Sequence, residues 1–98
     1  MLFVPTDPIH PGEIIREEFM ADYQLTQQKL ASEIGIEQDR LGAVLDAAAA
    51  LDADLALRLS RYFSNSPEYW LNLQRTYDLA VALKQSKGLD AIRPIQAA

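Results

Sequence analysis

Between Thr26 and Ala48 the chain is punctuated as two short helices joined by a glycine, and that punctuation leaves little choice of local fold. Thr26 suits an N-cap, because its hydroxyl oxygen can accept a backbone N–H of the following turn. Leu30, Ala31 and Ile34 then fall on one side of a helix from Gln27 to Glu33, and Gly35 supplies the left-handed residue that commonly follows a helix. Beyond Ile36, the residues Leu41, Val44, Leu45 and Ala48 recur at i, i+3, i+4 and i+7, a buried stripe on a third helix from about Glu37 to Ala47. The pair has a small residue, Ala31, where its helices touch, and Ile36, Leu41 and Val44 as apolar anchors behind the second helix. A DNA-reading helix-turn-helix needs this arrangement, and an ordinary helical hairpin shares most of it.

The flanking segments carry helix signals of the same kind. His10-Pro11-Gly12-Glu13 starts a first helix that reaches about Tyr23, with Ile14, Ile15 and Phe19 along one side. On its other side Glu13, Glu17, Glu18 and Asp22 form a solvated face, where Glu13 is placed to pair with Arg16. Asp52 caps a fourth helix running to Phe63, which turns Leu55, Ala56, Leu59 and Phe63 inward. Ser66-Pro67-Glu68 combines a cap, a proline at the first helical position and an acid beside the helix dipole. It opens a fifth helix extending to Ala82 or beyond. Trp70, Leu73, Tyr77 and Ala80 make one stripe on that helix, which closes the monomer core or, through its outer part, forms a dimer seam. No segment alternates as a strand does. The expected fold is all-α: an extended arm over 1–9, a five-helix domain over 10–84, and a tail over 85–98 interrupted by Gly88 and Pro94.

Composition removes several function classes. With 98 residues there is room for one domain, and 49% apolar with 23% charged residues describes a globular chain and not a disordered one. The chain has no cysteine and one histidine, so neither a disulfide nor a zinc site is expected, and His10 reads as a turn residue. Asp52 and Asp54 lack the spacing of a calcium loop. No apolar run approaches the roughly 18 residues of a membrane span. The opening MLFVPTDPIH has no basic region ahead of its apolar run, so a cytoplasmic protein without a secretory signal is expected. A glycine-rich phosphate loop and a nucleophile–base pair are both missing, so no cofactor and no catalysis are expected.

Three stretches carry a resemblance to a known family: HPGEIIREEF, QQKLASEIGI and LALRLSRYFSNSPEYWLNLQRTYDLAVA. They resemble the HigA/VapI-type antitoxins, a branch of the Xre-family helix-turn-helix regulators, over about residues 10 to 82. The most specific part is Ser66-Pro67-Glu68-Tyr69-Trp70-Leu71-Asn72-Leu73-Gln74, which stands close to the family pattern. The resemblance implies a five-helix, lambda-repressor-like domain that dimerises, binds a small ribonuclease toxin and represses its own operon through operator DNA. A stand-alone regulator of the same fold, without a toxin, is the more distant alternative.

The chain departs from the family in the region that would read DNA. Where relatives carry a polar loop of the type Asn-Gly-Lys-Arg and then Thr-Ala-Asp-Thr, this chain has Asp46-Ala47-Ala48-Ala49-Ala50-Leu51-Asp52-Ala53-Asp54-Leu55. The cations that would meet phosphates in that loop are gone, and the alanines favour a third helix about a turn longer. At about 100° per residue, the side of the third helix opposite Leu41, Val44 and Leu45 presents Asp39, Gly42, Ala43 and Asp46, flanked by Arg40. From Gln24 to Ala50 there are two basic residues (Lys29, Arg40) against four acidic ones (Glu33, Glu37, Asp39, Asp46). DNA affinity rests on cations, so this balance, like the overall charge of −5, works against it. The remaining candidates for DNA contact are Gln27, Gln28 and Lys29 at the start of the second helix and Gln38, Asp39, Arg40 and Ala43 on the third. Two readings follow: operator binding that is weak or partner-dependent, and a homologue that keeps the protein interfaces after losing DNA recognition.

Overall fold

The computed structural model describes residues 7–96, and all regular structure among them is helical. The first helix opens as α1 (Pro11–Ile14) and passes without a break into a π-helical segment, Ile15–Met20. It is followed by α2 (Gln27–Ile34), α3 (Gln38–Leu45), α4 (Ala53–Phe63) and α5 (Pro67–Gln85), with a 3₁₀ turn at Leu89–Ala91 in the tail. Residues 1–6 of the expected N-terminal arm and residues 97–98 of the tail lie outside the described range.

The start signals act as their chemistry predicts. The side-chain oxygens of Thr26, Asp52 and Ser66 accept the backbone N–H of Lys29, Leu55 and Tyr69 respectively. His10 fills the same role for α1, its Nδ1 accepting the Gly12 N–H at 2.9 Å. That is more than the turn position expected of it: the ring is buried and meets the Tyr77 ring edge-on, with centroids 4.9 Å apart.

α1 packs against α3 and α5, α2 against α3 and α4, and α4 against α5. Ile15, Leu30, Leu41, Leu55, Leu59 and Trp70 are enclosed at the centre. Gly12 permits the α1–α3 approach, since a Cβ there would strike the Val44 carbonyl and lie 2.9 Å from the Leu45 Cα. An aromatic cluster closes one end: Phe19 lies 4.8 Å from Phe63 and 4.9 Å from Trp70 between ring centroids. Trp70 donates its indole N–H to Asn65 at 2.8 Å and is 0% exposed. The dimer-seam reading therefore fails for Trp70, because the monomer's own side chains surround it. Leu73 and Tyr77, on the same stripe, are half-buried.

Two expectations about α3 are overturned. The helix stops at Leu45 instead of continuing to Ala47, and Ala48 is exposed instead of buried. Ala47 turns to φ 61°, and the N–H groups of Ala48 and Ala47 bond back to the Ala43 and Val44 carbonyls at 2.8 and 3.0 Å. This is a Schellman-type termination, and it prevails over the helix propensity of the alanines. The expected Glu13–Arg16 pair is also absent from the ion pairs among the described residues: Arg16 reaches Asp46 instead, at 2.8 Å, tying the first helix to the end of α3.

Candidate nucleic-acid interface

The geometry of the α2–α3 pair is set at its turn. Gly35 adopts φ 74°, ψ 37°, and the N–H groups of Gly35 and Ile36 return to α2 carbonyls. Two further carbonyls at the turn are met from another element: Arg58 of α4 donates to Ile34 O at 2.8 Å and Gly35 O at 3.3 Å. Arg58 is held in turn by Asp54, one helical turn earlier, at 2.9 Å. The i,i+4 spacing of Asp54 and Arg58 is legible in the sequence; the reach of Arg58 across to the turn is not.

The seven candidate DNA contacts divide into distinct groups. Gln28, Lys29, Gln38, Asp39 and Arg40 are exposed and share the surface formed by the starts of α2 and α3. Gln27 is half-buried and bridges the helices, donating its side-chain amide to Gln38 O at 3.0 Å. Gly42, expected on the solvent side, is buried beneath Gln27: a Cβ there would lie 2.8 Å from Gln27 Nε2. Ala43 is half-buried, and its carbonyl accepts the folded-back Ala48 and Ala49 amides. The surface available to a ligand is thus narrower than the helical projection suggests.

Both cations of this surface are engaged within the chain. Lys29 pairs with Glu33 at 3.2 Å along α2. Arg40 reaches forward to the start of α4, with its Nη2 3.2 Å from Asp52 and 3.1 Å from Asp54. Hydrogen bonds from Arg58 and Arg40 hold the Asp54 carboxyl below the usual carboxylate range. The connection between α3 and α4, residues 46–52, is exposed through Ala50 and carries no positive charge. What remains is a surface of amide and backbone donors, with a helix N-terminus at Gln27 that attracts anions modestly.

A helix-turn-helix whose second helix stands open to solvent at its N-terminal end belongs to the fold class of DNA-binding regulators. Comparison with known proteins narrows the class. No protein-family model matches the chain. Virulence-associated protein I of Dichelobacter nodosus is 37% identical over 87 residues, 89% of this chain and 81% of that protein. Among solved structures, an addiction-module antidote protein of the HigA family from Coxiella burnetii superposes with a TM-score of 0.84 at 42% identity, covering 90% of this chain and 98% of that one. The antitoxin GraA in complex with its operator superposes with a TM-score of 0.88 at 35% identity, covering 99% of this chain and 100% of the other. The chain belongs to the HigA family of helix-turn-helix antitoxins.

Proposed function

We propose that this protein is the antitoxin of a toxin–antitoxin pair, acting as a homodimer that binds operator DNA through α2 and α3 and sequesters a small protein toxin. The observation that carries the reading is the preserved helix-turn-helix in a chain that superposes along nearly its whole length on an antitoxin bound to its operator. Gln28, Gln38, Asp39 and Arg40 are the exposed candidates for base and phosphate contact, with Lys29 beside them and Gln27 setting the helix spacing. Dimerisation is supported by apolar surface on the second half of α5, where Leu79 and Leu83 are exposed one turn apart, whereas half-buried Leu73 and Tyr77 lie on a different face of the same helix. A cytoplasmic location fits such a role, and no helix among the described residues is long and apolar enough to cross a membrane. A role in binding and not in catalysis accords with its similarity to antitoxins and helix-turn-helix regulators.

The pairing of Lys29 and Arg40 inside the chain favours a second reading, in which the toxin and dimer surfaces persist without operator recognition. A gel-shift titration against the DNA upstream of the protein's own gene separates the two. Retardation at sub-micromolar dimer in low salt is expected for the repressor, and its absence at micromolar dimer would sink that role. Co-purification with the product of the adjacent gene tests the toxin partner independently. An unaccompanied chain there would leave a regulator without a toxin.

A further inference from the structure

We propose that Asp52 and Asp54 form an acidic clasp that holds Arg40 away from DNA, so that operator affinity is governed by the release of a single arginine. The proposal rests on the operator-binding reading above and adds to it a pair of residues that set affinity without touching a base.

Arg40 is the one basic residue of α3, the helix placed to enter a major groove. Its Nη2 lies 3.2 and 3.4 Å from the two oxygens of Asp52 and 3.1 Å from Asp54 Oδ2, so one guanidinium nitrogen faces two carboxylates. Those carboxylates have little freedom to leave. Both sit at the N-terminus of α4, where the helix dipole favours negative charge. Asp52 is occupied as the α4 N-cap, accepting Leu55 N–H at 2.9 Å. Asp54 is anchored by Arg58, which is itself fixed to the carbonyls of the α2–α3 turn.

A phosphate approaching Arg40 therefore meets two fixed negative charges that already occupy its partner. The side chains are 40 to 61% exposed, so the clasp is weak enough to open in water. DNA must nevertheless replace two carboxylates by one phosphate at the same donor, and the exposed Ala47–Ala50 stretch offers no other cation in compensation. The arginine's contribution is discounted by the whole strength of the internal pair.

Asp52→Asn isolates the effect, because asparagine caps a helix as well as aspartate while removing the charge. Fluorescence anisotropy would follow a labelled duplex from the protein's own promoter, titrated with wild type, D52N, R40A and the R40A/D52N double variant at several salt concentrations. The clasp predicts that D52N binds about two- to fivefold tighter than wild type. It also predicts a slope of log affinity against log salt that is steeper by about 0.9, the signature of one more phosphate contact. Both gains should vanish in the R40A background. An unchanged D52N affinity overturns the clasp, and so does an equal gain with and without Arg40, which would mark a general charge effect. If wild type binds and D52N gains nothing, the clasp alone fails. If neither binds, operator recognition fails and the clasp fails with it. Thermal melts establish that each variant folds, and D54N, measured against the same R40A background, serves if D52N does not.

Discussion

The side-chain amide of Gln74 bridges α5 to the segment ahead of α4: its Oε1 accepts the Leu51 N–H at 2.7 Å while its Nε2 donates to Asp78 at 2.8 Å. Leu51 is enclosed in the core, so its N–H has no water to turn to. Gln74→Leu keeps the volume and removes the acceptor, leaving a buried donor unsatisfied at a cost of about 1–3 kcal/mol. For a domain of this size the melting temperature should fall by roughly 4–8 °C per kcal/mol. Urea denaturation followed by circular dichroism measures it, and an unchanged midpoint would show that the segment is held by apolar contacts alone.

Ala47 takes a left-handed conformation at φ 61° without the glycine that makes it easy. Ala47→Gly relieves that strain, while the added freedom of the unfolded chain offsets part of the gain. A net stabilisation of about 0.5–1 kcal/mol is expected, seen as a rise in the urea midpoint with an unchanged slope. A lower midpoint would mean that the turn is not strained at this residue.

His10 gives stability a pH dependence. Burial pushes its imidazole below the ordinary histidine range, outweighing the nearby Asp78 carboxylate and the hydrogen bond with the Ala49 backbone, both of which act upward. Glu13, Arg16, Glu17 and Asp46 line the same shallow depression, along with Tyr77. The folded state binds the proton less readily than the unfolded chain, so stability is full above the unfolded value near 6.5 and falls as pH drops toward the lowered folded value. Protonation also converts Nδ1 from acceptor to donor and so removes the α1 cap at Gly12. His10→Asn preserves a cap and should flatten the melting temperature between about pH 5.5 and 7. A wild-type profile already flat in that window would count against the assignment.

What could be read from the sequence follows the range of the physics involved. Thr26, Asp52 and Ser66 were legible as caps because capping acts over three residues, and Gly35 because its left-handed turn is a local event. Leu30, Leu41, Leu55 and Leu59 were legible as core from helical spacing. The contacts that shape the candidate site were not, since each joins distant segments: Arg58 with Gly35, Arg40 with Asp52, Arg16 with Asp46. Propensity favoured a longer α3 through the alanines, and the fold-back onto the Ala43 carbonyl decided otherwise. Trp70 could be placed on a stripe but not at a depth, because depth depends on Phe19 and Phe63 arriving from two other helices.

The π-helical segment Ile15–Met20 had no sequence signature, and it bears on how the first helix tolerates change. A π turn holds one residue more than the α turn it replaces, so it acts like a single residue spliced into a helix whose two ends keep their rotational phase. If the segment tightened to α geometry at constant length, everything after it would rotate by about 100°. Met20 and Phe19 would then swing away from the contacts they make with the core. Loss of one residue from the same stretch would let the helix tighten with both ends still in phase. The first helix is thus more sensitive to angle than to length, and its surface residues between Arg16 and Glu18 are where a one-residue deletion would be absorbed.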